Sequence, residues 1–476
     1  RFSVPVMFLA LNQQWTHVYA LVVAVAIQTT SISIGMGQGF SAVLLPQLEN
    51  SDLHVDAEDA SWIASLGVIS TPIGALVSGL LAETIGRKWT IESTGVPFLL
   101  GWVLMAVAQG KLWLYCGRFV TGFAIGMAAT CYVYLAEISR PSERGMMAAL
   151  GPVCVSLGVL IVYSMGYFLD WHIACVVCAA MASFSMFVIH FVPESPPYLA
   201  SKGQYHKAQE VLVLLRGDAD EAEKEMTQIL QSVNKTKKQT WQEYVGQVKD
   251  PAVWKPFLIL LVFFLCQEGS GIYVIVYYAN DLFQNIGPVL DSSVESIIVG
   301  IVRLVVSAIG AACIQRFGRR TLAMFASIGM GLSMAGASAY VYVYGHLAQE
   351  DRPFNYFPFV CLVVHVVMSM MGMLQLPWLM IGELFPLKVR GVMSGIVSSL
   401  AYLFIFAIVK VYPNLMAWFQ LWGMLAFFSS MSAFTVVFVF FFLPETQGSS
   451  LIEIENSFRN NVKSKDDPDP VYILRI

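Results

Sequence analysis

The chain has 476 residues, of which 57% are hydrophobic and only 13% charged, with a net charge of −4 and a mean hydropathy of +0.65. A water-soluble domain carries about 25% charged residues, so the composition excludes a soluble globule. The slightly acidic balance argues against a nucleic-acid partner.

Apolar runs long enough to cross about 30 Å of hydrocarbon at about 1.5 Å per residue recur twelve times. They lie at 18–43, 60–82, 90–109, 112–135, 146–168, 172–192, 256–280, 292–314, 321–345, 357–382, 391–412 and 416–443, numbered here as spans 1 to 12. The expected fold class is an all-α membrane protein with twelve transmembrane helices. Span 1 is too long for a signal-peptide core and lacks a small-residue cleavage site, so it is expected to remain as a helix. The loop after it, ENSDLHVDAED, holds five acids and neither Lys nor Arg. By contrast, Arg87 and Lys88 follow span 2, Arg140 and Arg144 follow span 4, Arg316, Arg319 and Arg320 follow span 8, and Lys388 and Arg390 follow span 10. The positive-inside rule then places both termini and the polar segment 193–255 in the cytoplasm.

Within that segment Ala208, Val211, Leu212, Leu214 and Leu215 recur at helical spacing, which predicts short amphipathic helices beneath the membrane. Asn234-Lys-Thr matches a glycosylation acceptor but falls on the cytoplasmic side. All eight cysteines fall in apolar segments, and Cys175 and Cys178 read as small packing residues in lipid-facing sequence. No metal cluster, nucleotide loop or nucleophile constellation is present. An enzyme, a cofactor and ATP-driven pumping are therefore not expected.

Three landmarks occur twice in the same order. GLLAETIGRKW (79–89) is echoed by AACIQRFGRRT (311–321), AEISRPSERG (136–145) by GELFPLKVRG (382–391), and PES (193–195) by PET (444–446). Glu137 and Glu383 each stand seven residues before an Arg-Gly, at Arg144 and Arg390. The chain thus reads as two six-helix halves of equal topology: 1–192, a linker at 193–255, 256–443, and a tail at 444–476. Arg87, Lys88, Arg319 and Arg320 are predicted to reach Glu137 or Glu383 on a neighbouring helix of the same half, and with Arg144, Arg390, Glu194 and Glu445 to form a latch at the cytoplasmic ends. It would hold that face closed and break when it opens.

GRKW, GRFVTGFAIG (117–126), PESPPYL (193–199), QEGSGIYVIVYYA (267–279), GRRTL, PWLMIGELFP (377–386) and PETQG (444–448) carry a name together. The chain resembles the sugar porter family of the major facilitator superfamily over its full length, and most of all the insect trehalose-carrier-like branch. The resemblance implies two rocking halves around a central sugar site, a plasma-membrane location, and a monomer that needs no partner beyond lipid and solute. It also implies that Gln267, Ser270, Tyr273, Tyr277 and Tyr278 on span 7, Arg303 on span 8, and Trp378 on span 10 line that site, and that Arg118 is a buried arginine of span 4. Gln375 stands where the family has a proline and is a further candidate contact. Relative to the family pattern, Glu268 replaces a glutamine, Tyr273 and Arg303 replace asparagines, and Thr84, Gln315 and Pro197 weaken the latches. Gly37 stands where proton-coupled relatives carry an aspartate, which favours facilitated diffusion.

A charge at mid-membrane costs about 2.5–3.5 kcal/mol or more, so Glu268 is expected to need a partner, and Arg303 is the nearest candidate. An ion pair there has three readings: a structural tie between spans 7 and 8, a pair that also binds substrate hydroxyls, or a proton-coupling carboxyl. The functional expectation is facilitated transport of a sugar, trehalose or a hexose. The alternatives are a carrier of a polyol or other small organic solute, with or without proton coupling, and a non-transporting sugar receptor.

Overall fold

The computed structural model describes residues 13–49, 51, 53, 55–140, 144–235, 249–287, 290–348, 351–386, 389–448 and 451–459. All regular structure among them is helical. Spans 1, 3, 5, 6, 8 and 9 are single helices: Gln13–Glu49, Arg87–Ala106, Arg144–Phe168, Trp171–His190, Ser292–Arg316 and Arg319–Tyr344. Span 2 is Ala57–Ile69 followed by Thr71–Thr84, and span 4 is Lys111–Met127 followed by Thr130–Ile138. The break in span 2 falls just before Pro72, whose ring supplies no N–H to the preceding turn. Spans 11 and 12 form one run, Arg390–Phe442, interrupted at Gln420, whose φ is 56° and ψ 175°. The sequence reading placed this turn at 413–415. The helix instead carries Pro413 inside it and turns at Gln420, after which span 12 runs back along span 9. Ser338 donates to the Trp422 carbonyl at 2.7 Å and Ser429 to that of Gly331 at 2.9 Å.

Backbone contact between helices is tightest in spans 1 to 5. A Cβ added at Gly35, Gly74, Gly122 or Gly126 would stand 1.9 Å from a carbonyl oxygen of a neighbouring helix. Without a hydrophobic drive between helices in lipid, small residues let backbones approach and gain dispersion contacts. In spans 10 and 11, by contrast, Cβ atoms added at Gly382, Gly391 and Gly395 would meet open space. Cys175 and Cys178 do not face lipid; both are fully buried in the packed core.

The repeated motifs build the same staple twice, at the end of the molecule that carries the basic residues. Glu194 accepts from the backbone N–H groups of Arg87 and Lys88 at 3.0 and 3.1 Å, capping the start of span 3. Glu445 does the same for Arg319 and Arg320 at 2.8 and 3.1 Å, capping span 9. Each carboxylate thereby satisfies orphan donors at the positive end of a helix dipole. The Arg87 guanidinium then pairs with Glu137 of span 4 at 3.0 Å, and Arg319 with Glu383 of span 10 at 3.0 Å. Ser195 and Thr446 donate to those same two carboxylates. Lys88 and Arg320 take no part in the ion pairs; their side chains reach the carbonyls of His190 and Phe440. Arg390 also differs from expectation, because it donates to the Phe385 carbonyl at 2.9 Å and so closes the end of span 10. The side chain of Arg144 lies outside the described residues.

Every one of these bonds lies within one half. The staples therefore brace each six-helix unit internally, with Arg87–Glu137 and Arg319–Glu383 paired within one half as the sequence reading expected.

Helices Pro196–Ser201, Tyr205–Arg216 and Ala219–Lys235 form a small satellite with its own core of Leu199, Ala208, Leu212, Ala222 and Met226. Arg216, buried, grips Glu225 at 2.6 Å and the Ile138 carbonyl at the end of span 4 at 2.9 Å, which docks the satellite on the first half. Helix Leu451–Arg459 docks on the start of span 7 through Arg459 to Asp250 at 2.5 Å and Lys255 to the Phe458 carbonyl at 3.2 Å.

Two measurements check this account. Gly86 has φ +109° and a Cβ there would lie 2.2 Å from Glu194 Oε2, whereas one at Gly79 would meet nothing within 4 Å. Gly86→Ala is expected to destabilise by about 1–3 kcal/mol and Gly79→Ala to be neutral or stabilising, read as Tm in detergent. Separately, Arg459 holds the Asp250 carboxyl below the usual carboxylate range. A depressed pKa stabilises the docked tail above the ordinary value of about 4, and that contribution is lost as pH falls through the depressed one. Limited proteolysis of the tail should therefore quicken on acidification below about pH 4, and Asp250→Asn should reproduce the change at neutral pH.

Candidate functional site

Midway through the molecule two spans are broken, and the breaks face each other. Span 7 runs as Pro251–Gly269, stops at Ser270 and Gly271, and resumes as Ile272–Tyr277 and Ala279–Ile286. Gly271 adopts φ +84°, a left-handed conformation open to glycine, and its α-carbon sits against the Phe428 ring, where a Cβ would come within 2.6 Å. Span 10 runs as Phe357–Met368, a π-helical turn Ser369–Met373, and Leu376–Leu384. Pro377 has no N–H for the Met373 carbonyl four residues earlier. The Gln267 amide takes that place, donating to the carbonyls of Met373 and Leu374 at 3.0 Å each. One side chain of the span 7 break thus repairs the backbone of the span 10 break. Gln375 donates only a long 3.5 Å bond to Met370, and Ser270 caps its own helix by donating to the Gln267 carbonyl at 2.6 Å.

The expected ion pair is not made. Glu268 and Arg303 are 2% and 4% exposed, yet both Glu268 oxygens and Arg303 Nε and Nη1 have no hydrogen-bond partner among the described residues. Tyr273 and Tyr277, both buried, lie within electrostatic reach of each. The carboxyl and the guanidinium therefore flank a tyrosine pair and do not neutralise each other across it. Glu268 lies at the end of the helix before the turn and Arg303 in the unbroken span 8, and the tyrosines that follow the turn lie within reach of both. Trp378 is half-buried, edge-on to Phe264 at 5.0 Å and beside Tyr402 at 5.3 Å. It forms an aromatic wall on the basic side of the breaks.

Span 1 supplies the polar groups that the sequence reading passed over. Gln28 Nε2, Thr30 Oγ1, Ser33 Oγ and Gln38 Oε1 are buried without a standard hydrogen bond, as is Gln267 Oε1. The run QTTSIS (28–33) within an otherwise apolar span was their signal. Arg118 is 1% exposed and fully engaged: Nε bonds the Ile63 carbonyl at 3.0 Å, Nη1 the Gly37 carbonyl at 2.9 Å and Nη2 Ser41 at 2.7 Å. It ties span 4 to spans 1 and 2 through neutral acceptors.

Among the described residues, the polar contacts that cross from one half to the other lie away from the basic end. Tyr163 of span 5 donates to the Val276 carbonyl of span 7 at 2.8 Å. Lys410 of span 11 donates to Ser61 of span 2 at 2.6 Å, with its ammonium 4.0 Å over the Trp62 ring. Nearby, Tyr278 stacks on Tyr412 with ring centroids 4.4 Å apart, and the Tyr412 hydroxyl donates to Asp281 at 2.7 Å. Tyr278 itself donates to the Val409 carbonyl at 3.2 Å, so it seals this end and does not point into the middle. The state described here is closed at the end opposite the staples.

The arrangement holds no nucleophile–base pair, and no group of His, Cys, Asp and Glu among the described residues could hold a metal ion. It has instead a set of unpaired donors and acceptors in buried transmembrane segments.

Comparison with known proteins agrees with this geometry. A Facilitated trehalose transporter Tret1 of Bombyx mori is 30% identical over 446 residues, covering 93% of this chain and 86% of that relative. The protein of the same name in Drosophila virilis is 28% identical over 453 residues; the chain spans about half of its length, 49%. Among solved structures, the proton:xylose symporter XylE bound to 6-bromo-6-deoxy-D-glucose superposes with a TM-score of 0.77 at 20% identity, covering 93% of this chain and 100% of that one. Residues 16–458 match the family described as Sugar (and other) transporter. This twelve-span helical membrane protein, a transporter and not an enzyme, belongs to that family.

Proposed function

We propose that the chain carries a neutral sugar, trehalose or a hexose, across the plasma membrane by facilitated diffusion, working as a monomer with both termini cytoplasmic. The residues 1–192 and 256–443 act as the two moving halves, with 193–255 as linker and 444–476 as tail. The observation that carries this reading is the set of unpaired polar atoms of Gln267 and Glu268 at the span 7 break and of Gln28 and Gln38 within span 1. Buried donors and acceptors without partners are costly, and a solute rich in hydroxyls, each both donor and acceptor, satisfies them in pairs. Trp378 and the tyrosines offer faces for the apolar side of a sugar ring. The trehalose transporters of Bombyx mori and Drosophila virilis support the choice of solute.

Facilitation is favoured over proton coupling because Arg118 is held by the carbonyls of Gly37 and Ile63 and by Ser41, with no carboxylate among its bonds. Alternating access follows from the contacts. The staples keep each half rigid, and the halves part at one end while Lys410, Ser61, Trp62 and Tyr163 hold the other. A second reading, proton-coupled uptake, rests on the unpaired carboxyl of Glu268, and uptake that follows an imposed pH gradient would establish it.

Counterflow in proteoliposomes, with equal pH on both sides and trehalose, glucose, fructose and a polyol tried in turn, tests the main reading. Transient accumulation of one labelled sugar is expected, and accumulation of none overturns a sugar carrier. Glu268→Gln is expected to raise the half-saturating sugar concentration about ten-fold, the loss of one charged hydrogen bond; an unchanged value would remove Glu268 from the site. At the far end, Lys410→Met keeps the aliphatic stem but loses the ammonium. It should raise labelling of a Ser65→Cys reporter by an impermeant thiol reagent about five-fold, as a broken cation–π and hydrogen-bonded contact worth about 1 kcal/mol implies.

A further inference from the structure

A second, smaller space lies beside the mid-membrane breaks. Tyr163 of span 5, Ile272 and Val276 of span 7, Arg303 of span 8, and His365 and Ser369 of span 10 line a cleft with room for about one water-sized particle. Arg303 points into it with Nε and Nη1 unpartnered. The titratable side chains within electrostatic reach of Arg303 are Tyr163, Tyr273 and Tyr277, none of them a carboxylate. His365 is fully buried on the same wall, with its ring against the Met330 backbone of span 9.

A guanidinium has five N–H donors and no acceptor, and it stays charged in proteins. Water in the cleft could accept one or two of those bonds but brings no charge, and an unpaired charge at this depth is costly. The Glu268 carboxylate does not come within ion-pair distance. A sugar hydroxyl in the main site has the same shortcoming as water.

We infer that the cleft binds a small free anion of halide size, held by Arg303 Nε and Nη1, with Tyr163 and Ser369, whose hydroxyls already donate to the Val276 and Val366 carbonyls, lining the space around it. The site is composite. Tyr163 belongs to the first half and already bonds the Val276 carbonyl across the boundary, while the other groups belong to the second. An anion there neutralises the buried Arg303 beside the Tyr163–Val276 contact that already joins the halves. It stabilises the state seen here and makes the carrier's cycle sensitive to halide. The inference does not depend on which solute is carried.

The test is thermal unfolding of the purified full chain in detergent, without sugar, in sodium chloride, sodium bromide or sodium HEPES at one ionic strength. Chloride and bromide are expected to raise Tm by about 2 °C in a saturable way, whereas HEPES, too large for the cleft, is not. Arg303→Gln should abolish the shift. Arg303→Lys keeps the charge with fewer donors, and it should raise the chloride needed for half the shift about ten-fold. Equal Tm in chloride and HEPES overturns the site, and so does a chloride shift that survives Arg303→Gln. A shift with glucuronate and none with halides also overturns it, and would make the partner of Arg303 a carboxylate on the carried solute. Because no transport is measured, each of these outcomes is independent of whether counterflow finds a sugar.

Discussion

In hydrocarbon a backbone must satisfy itself, and this chain breaks that requirement in two facing places. Span 7 gives up helical continuity at Gly271, and span 10 at its π turn and Pro377. Neither break would survive alone. The Gln267 amide, bonded to the Met373 carbonyl that Pro377 leaves short of a donor and to the Leu374 carbonyl beside it, ties the two breaks together. Once these two helices are opened at the same depth, backbone and side-chain polar groups converge where continuous helices would present methyl groups. The site is the consequence of that local failure of helix geometry, and the remaining ten spans hold it in place.

What holds it is a duplicated device. Glu194 and Glu445 each cap a helix start while Glu137 and Glu383 each take a guanidinium, with Ser195 and Thr446 bonded to the second pair. The two copies are not equal. Arg87 reaches Glu137 through both Nε and Nη2, at 3.1 and 3.0 Å, whereas Arg319 Nε is left without a partner and only Nη2 engages Glu383. Charge pairs at this depth of exposure add modestly to stability on their own. Coupled to helix caps and hydroxyls, they fix the angle at which spans 3 and 4, or 9 and 10, leave the membrane.

The twelve spans, the doubling and the staple acids were legible because each has a local signature: apolar length, repeated order, and a fixed interval from acid to Arg-Gly. Gln267, Ser270, Tyr273 and Tyr277 were legible through the resemblance, and the structure gathers them around the break in span 7. The pairing of Glu268 with Arg303 was not, because it rested on charge compensation between two family positions, and no residue type encodes the distance between spans 7 and 8. Lys410 and Ser61 were missed for a different reason. Their meeting depends on how two halves tilt, and no interval along one strand of sequence encodes that. The roles of Lys88, Arg320 and Arg390 show the same limit on a smaller scale: the motif supplies a cation, but the nearest acceptor turns out to be a carbonyl at a helix end.

The glycines divide the labour between the halves. In spans 1, 2 and 4, Gly35, Gly74, Gly122 and Gly126 bring helix backbones into direct contact, leaving no slack for a side chain to take up. In spans 10 and 11, Gly382, Gly391 and Gly395 face open space, beyond the π turn and Pro377. The first half is therefore the anvil and the second the hinged part. Sequence drift should be resisted in the former wherever a methyl group would wedge two helices apart. The latter has room to vary, and with it the chemistry of what passes between them.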